Sequence, residues 1–301
     1  MFLDASVSLA DVLRNVTRHG DPAIRINIQA HVEPAELPTI LRGVRLVLND
    51  HSYMPTEFMA QCPELRHVVF LGTGARSYMD PEALAGLGIE VHTIKSYGDT
   101  AVAEHAFALL WAVARGLAAM DRGIRAGGWP RTEGMQLRGK TLGLVGFGGI
   151  GAEVARIAQG IGMRVLAWNR TPRAALGVEF VPLERLLAES HAVSMHLLLT
   201  DETRGFLDAG RLGAMRPGAI LVNTARGALV DEGALVAALQ SGRLAHAALD
   251  VFDTEPLPPG HRLAALDMVT LSAHSAFRTL EASETLMRRA LDIAAGIAQD
   301  S

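Results

Sequence analysis

The run Lys140-Thr-Leu-Gly-Leu-Val-Gly146-Phe-Gly148-Gly-Ile-Gly151 commits the middle of this chain to a strand, a tight turn and a helix. Leu142 to Val145 form a short apolar strand pattern, and Ile150, Val154, Ile157, Ala158 and Ile161 recur at helical spacing. Gly-x-Gly-x-x-Gly between such a pair is the fingerprint of a dinucleotide-binding βαβ unit. Gly146 permits the turn, Gly148 lets the backbone approach a pyrophosphate, and Gly151 lets helix and strand pack closely. The N–H groups around Gly149 and Ile150 then open a helix whose positive dipole end suits phosphate.

A strand of this kind needs parallel neighbours, and the sequence supplies them. Apolar runs follow at Val165–Trp168, Ala192–Leu198, Ala219–Val222, Ala245–Val251 and Met268–Leu271, most of them separated by helical stretches. This pattern predicts a doubly wound parallel α/β sheet. Ahead of it, runs at Ala23–Ile28, Val44–Leu48, His67–Leu71 and Ile89–Ile94 alternate with helical segments around Pro34–Leu41, Pro55–Gln61 and Pro81–Leu87, a smaller α/β unit. At 301 residues the chain exceeds what one core serves, so two domains are expected. Between them Val102–Met120 reads as one helix apolar on most faces, buried on more than one side. Thr279–Asp300 reads as a helix with a single core face, and 127–139 as a loop.

Composition narrows the function classes. The net charge of −4 provides no basic field for nucleic acid or an anionic membrane. Cys62 is the only cysteine, which excludes an intramolecular disulfide and a cysteine metal cluster and fits a reducing compartment. No apolar run approaches the ~18 residues of a membrane span, and a basic leader pattern is absent, so a cytoplasmic enzyme without a metal is the expectation.

Ligands of open α/β sheets bind beyond the carboxyl ends of the strands. Arg226 follows the run at 219–222, Glu255 the run at 245–251, and His274 the run at 268–271. An arginine, a carboxylate and an imidazole at one sheet edge are a set that hydride chemistry on a carbonyl can use. His105, inside the apolar helix, and His196, inside a strand, are read as satisfied packing histidines, and His19 and His31 as solvated.

These motifs resemble those of the D-isomer-specific 2-hydroxyacid dehydrogenases over nearly the whole length. The likeness rests on the glycine loop, Asn223-Thr-Ala-Arg226-Gly with Val230-Asp-Glu, Leu249-Asp-Val-Phe with Glu255-Pro, and His274 with Thr279 five residues on. Val102-Ala-Glu-His and Leu137-Arg-Gly-Lys-Thr-Leu-Gly extend it. The resemblance implies a Rossmann cofactor domain over 99–278 and a flavodoxin-like substrate domain over 1–98 completed by 279–301. It makes His274 the proton donor to the carbonyl oxygen, Glu255 its hydrogen-bonding partner and Arg226 the holder of the substrate carboxylate. It further implies that Asp250 holds the nicotinamide carboxamide, that Thr224 lines the cofactor, and that backbone N–H groups among Thr73, Gly74 and Ala75 form a second carboxylate clamp. A homodimer through the 102–120 helix is also implied. Family positions usually held by Pro, Gly and Pro are Ala273, Ala276 and Leu198 here, so the substrate cannot be carried over. Formate dehydrogenases of this fold place Gln where Glu255 stands, which argues against that activity.

The second strand ends in Asn169-Arg170-Thr171-Pro-Arg173, where an NAD enzyme carries an acid for the ribose hydroxyls. Asn169 and Thr171 can donate to a 2′-phosphate, and Arg170 or Arg173 can pair with it. One charge-assisted bond, at about 1.5–3 kcal/mol, is a preference of about 10- to 150-fold. NADP(H) over NAD(H) is therefore expected, in an enzyme reducing small 2-keto acids such as glyoxylate or hydroxypyruvate. The rivals are a nucleotide-sensing, corepressor-like binding protein and a dehydrogenase of another oxyanion such as phosphite.

Overall fold

The computed structural model describes residues 1–29, 31–171 and 173–299. Pro172, within the 169–173 segment, and the helix positions expected at Asp300 and Ser301 lie outside the described residues. The chain divides into two compact units, Met1–Gly98 with Arg278–Ser301, and Asp99–Phe277.

The first unit opens on α1 (Val7–Val16), capped by the Ser6 hydroxyl, which accepts from the Leu9 N–H. It continues through α2 (Leu37–Ile40), β1 (Leu46–Asn49), α3 (Thr56–Met59), β2 (His67–Phe70), α4 (Pro81–Gly86) and β3 (Glu90–Thr93). The strands form a parallel sheet in the order β1-β2-β3. The run at 23–28 does not become a strand: only Ile26 bridges to Phe2, because this stretch meets the sheet through the N-terminal residues alone.

In the second unit, α5 (Asp99–Ala114) and α6 (Leu117–Arg125) precede β4 (Thr141–Val145), α7 (Gly149–Gly160), β5 (Arg164–Trp168) and β6 (Val178–Phe180). Then come α8 (Leu183–Glu189), β7 (Ala192–Met195), α9 (Ala209–Ala214), β8 (Ala219–Asn223), α10 (Glu232–Gln240), β9 (Leu244–Leu249) and β10 (Val269–Leu271). Seven parallel strands run in the order β10-β9-β8-β7-β4-β5-β6, with the reversal of winding at β4/β7. α11 (Leu280–Gln299) returns to the first unit.

Both sheets are covered on two faces, which is why their strands read as continuous apolar runs. In the second unit Leu142, Leu144, Val165 and Val222 pack on α5 and α7. Val145, Leu166, Val193 and Leu221 point the other way, to α8, α9 and α10. In the first unit Val47, Val68 and Phe70 meet α2, α3 and α4. Leu48, Val69 and Leu71 meet Leu9 and Leu13 of α1 and Leu286, Met287 and Leu291 of α11.

Two sequence expectations change here. The 102–120 helix is broken after Ala114, where Gly116 takes a left-handed φ of 63°, and the two pieces bend by 63°. α5 is buried in its own unit, whereas α6 buries no residue. No single helix among the described residues is long and apolar enough to cross a membrane.

Candidate active site

Strand ends position every polar group of the site in the second unit. At the end of β8, Asn223 is almost fully buried and organises the following turn: its Nδ2 donates to the Arg226 carbonyl at 2.8 Å, and its Oδ1 accepts from the Ala225 N–H at 3.0 Å. The Arg226 guanidinium donates to the Ala225 carbonyl at 2.7 Å. Gly227 then passes so close to the loop after β9 that a Cβ on it would stand 2.0 Å from the carbonyl carbon of Phe252. That close approach brings Arg226 beside Glu255.

The Glu255 carboxylate has two partners. Its Oε1 accepts from the Phe252 N–H at 2.9 Å, and its Oε2 lies 2.6 Å from His274 Nδ1. Partial burial pushes its pKa up, but the hydrogen bond and charge of His274, the Phe252 N–H and the Arg226 charge outweigh burial and hold it below the usual carboxylate value. An ionised Glu255 can only accept, so Nδ1 carries a proton toward it and Nε2 is left as the nitrogen that exchanges a proton with a ligand.

His274 adopts a left-handed φ of 47°, uncommon outside glycine. Asp250 holds it there. The Asp250 carbonyl accepts from the His274 N–H at 2.7 Å, while its fully buried carboxylate takes the Ser275 N–H at 3.0 Å on Oδ1 and the Ala276 N–H at 2.9 Å on Oδ2. The Ser272 hydroxyl adds a third bond to Oδ1 at 2.6 Å. Asp250 thus clamps the turn that presents the imidazole, a task the sequence reading did not assign to it.

His105 corrects a second reading. Its Nε2 lies 2.9 Å from the Ser272 hydroxyl and 3.4 Å from Asp250 Oδ1, so it belongs to this network rather than to plain packing. His196 lies beyond the end of β7, and its Nε2 is shielded from solvent with no hydrogen-bond partner among the described residues. Burial lowers its pKa from 6.5 to about 4. His19 and His31 are exposed, as read, with His31 3.2 Å from Glu33. Asn223 and Gly227 lie inside the Asn223–Gly227 motif without a role assigned from the sequence, and Ser272 lies outside the motifs; only the folded turns reveal what each holds.

The glycine loop fits a dinucleotide. Gly146 has φ of 96°, and a Cβ there would stand 2.5 Å from the His196 carbonyl oxygen. A Cβ at Gly148, the N-cap of α7, would meet nothing within 4 Å, so the backbone is open at that residue, while Gly149, the first residue of the helix, lies against the Asp99 carboxylate. Beyond β8, the buried Thr224 Oγ1 lacks a partner among the described residues. At the end of β5, however, the Asn169 amide is already engaged: Oδ1 accepts from the Phe147 N–H at 3.2 Å and Nδ2 donates to the Thr171 carbonyl at 2.8 Å. Arg170 is exposed and 3.2 Å from Glu202, and Thr171 and Arg173 are exposed. In the first unit, no backbone carbonyl of the described residues accepts from the N–H groups of Thr73, Gly74 or Ala75.

Comparison with known proteins points the same way. Residues 107–276 match the family model described as D-isomer specific 2-hydroxyacid dehydrogenase, NAD binding domain. Glyoxylate reductase of Aeropyrum pernix is 42% identical over 248 residues, 78% of this chain and 73% of that protein. Among solved structures, the TT0316 protein of Thermus thermophilus is 35% identical with a TM-score of 0.87, covering 99% of this chain and 96% of that one. An acyclic imino acid reductase in complex with NADPH and D-Arg is 28% identical with a TM-score of 0.84, covering 98% and 94%.

Proposed function

The chain belongs to the D-isomer specific 2-hydroxyacid dehydrogenases, NAD(P)-dependent oxidoreductases acting on CH–OH groups, and from that membership we propose that it reduces small 2-keto acids of the glyoxylate or hydroxypyruvate type with NADPH preferred to NADH. The observation that carries this reading is the 2.6 Å pair of His274 and Glu255, with Arg226 close enough to lower the Glu255 pKa, all beyond the ends of three adjacent strands.

When bound, the nicotinamide supplies the hydride. His274 donates the Nε2 proton to the carbonyl oxygen as negative charge grows there, and takes it back from the hydroxyl in the reverse direction. Glu255 fixes the ring orientation through Nδ1. The Arg226 guanidinium holds the substrate carboxylate and polarises the carbonyl. Asp250 and Ser272 keep the His274 turn in place. We assign the pyrophosphate to Gly146, Gly148, Gly149, Ile150 and Gly151, and Asp250 and Thr224 to the nicotinamide side. The N–H groups of Thr73, Gly74 and Ala75, which donate to no backbone carbonyl among the described residues, suit a carboxylate ligand.

The NADPH preference rests on the missing acid at the end of β5. With Asn169 engaged by the glycine loop, Arg170, Thr171 and Arg173 are the groups left to meet a 2′-phosphate. Glyoxylate reductase activity in the Aeropyrum relative supports the substrate class. We further propose a homodimer whose contact is formed by α6 and the loop after it, where Leu117, Ile124 and Trp129 are 52%, 51% and 74% exposed. A reducing, cytoplasmic setting agrees with the buried free thiol of Cys62.

Initial rates of NADPH and NADH oxidation with glyoxylate, hydroxypyruvate, pyruvate and phenylpyruvate test the reading. Faster turnover with NADPH on the first two is the expected result. Cofactor binding without turnover on any of them would instead favour a sensing protein or another oxyanion.

A further inference from the structure

A second group of titratable side chains lies in the first unit. β2 begins with His67 and β3 with Glu90, and the parallel register sets His67 opposite Glu90 and Val69 opposite His92. Side chains alternate along a strand, so His67, Glu90 and His92 share one face at the open edge of the three-stranded sheet. Both imidazoles are mostly buried, with side-chain exposures of 22% and 21%, whereas Glu90 is 68% exposed.

Their donor atoms converge. His67 Nδ1 and His92 Nε2 are 3.2 Å apart, and Glu90 Oε2 is 3.7 Å from each of them. Three points with these separations stand about 2.1 Å from a common centre, within the ~2.0–2.2 Å of Zn–N and Zn–O bonds. We propose that His67, Glu90 and His92 form a binding site for one divalent transition-metal ion of the Zn²⁺ class, with a fourth position open to water. Two imidazoles and one carboxylate select such ions over Mg²⁺ or Ca²⁺, which prefer all-oxygen shells. The ion moves out of the donor plane toward tetrahedral geometry when the exposed Glu90 closes in by a few tenths of an ångström.

The surroundings suit this ligand set. Burial, then the neighbouring His92 and Arg45 charges, lower the His67 pKa against the opposing pull of Glu90, in the direction of the neutral ring that binds a metal. His67 also lines an open cavity of about 610 Å³ with Arg45, Leu46 and Ala294, which gives an ion a route in. A bound ion would tie the edge strand β3 to β2. No sequence spacing marks the site, because the ligands come from two strands joined only by their register.

The test is a calorimetric titration of Zn²⁺ into the untagged, chelator-stripped full chain, with the visible absorption of the Co²⁺ complex as a second readout. One Zn²⁺ per chain at micromolar Kd or tighter is expected, with the intense Co²⁺ band of a four-coordinate site. His92→Gln and Glu90→Gln should each weaken binding at least ~100-fold, beyond the ~10- to 100-fold cost of losing a group that only supports a ligand. His31→Gln, at the exposed pair with Glu33, should leave binding unchanged. If His92→Gln does not fold, Glu90→Gln carries the test from its exposed position. Absence of a site tighter than about 100 μM, or unchanged binding in the folded variants, would reduce the cluster to a hydrogen-bonded histidine pair and overturn the proposal.

Discussion

Replacing Asp250 by asparagine separates two tasks at one side chain, clamping the His274 turn and holding a cofactor. The carboxylate is fully buried and accepts from two backbone N–H groups, one on each oxygen. An amide has one acceptor. Whichever way it is turned, its NH₂ faces either Ser275 N or Ala276 N, and one backbone donor loses its partner. A hydrogen bond to a charged group is worth about 1.5–3 kcal/mol, and the remaining bonds weaken from charge-assisted to neutral. Together these give a loss of about 3–5 kcal/mol, which for a unit of this size lowers Tm by about 6–20 °C. Release of the turn also lets His274 leave its left-handed conformation, itself worth about 1–3 kcal/mol of strain, so kcat falls at saturating cofactor. Differential scanning calorimetry with steady-state kinetics reads both effects. A variant that melts within about 2 °C of the parent and raises only the cofactor KM would refute the clamp and leave Asp250 as a cofactor contact alone.

Other consequences are equally specific. Gly227→Ala puts a methyl group 2.0 Å from the Phe252 backbone, so the two loops must separate by more than 1 Å, and kcat/KM should fall about 100-fold while cofactor affinity holds; an unchanged kcat/KM would contradict the loop contact. His274→Asn should remove turnover across about pH 5–9, and a variant retaining parental rates would end its assignment as the proton donor. Arg170→Ala should raise the KM for NADPH more than that for NADH, and an equal change in both would remove this residue from the phosphate site. Stability should depend on acid in two windows. His196 is held neutral down to about pH 4 in the fold but titrates near 6.5 when unfolded, so the unfolded state binds more protons between those values and about 3 kcal/mol is lost as pH falls through them. In the other unit, Arg288 lowers Asp21 to about 2, so that contribution is complete above the ordinary carboxylate value and disappears only as pH falls toward 2. Denaturant melts from pH 7 to 3 should show the first slope in the parent and not in His196→Gln.

What the sequence determined by itself is the part governed by local pattern. Continuous apolar runs identify strands buried on both faces, and Gly146, Gly148 and Gly151 identify the turn at the end of β4, because backbone conformation and close approach leave few other residues possible there. Placing Arg226, Glu255 and His274 beyond successive strand ends followed from the same topology. Local pattern could not determine what depends on distant segments meeting. The helix read over 102–120 breaks at Gly116, and the apolar run at 23–28 stays out of the sheet, because apolar composition does not state whether a partner strand is present. Asp250 and His105 looked respectively like a cofactor contact and a packing residue, yet both belong to the network that holds the His274 turn. Asn169 carried the right donors for a phosphate, but the fold uses both ends of its amide to hold the backbone. A side chain's type sets which bonds it can make; the tertiary structure decides which of them its neighbours have already taken.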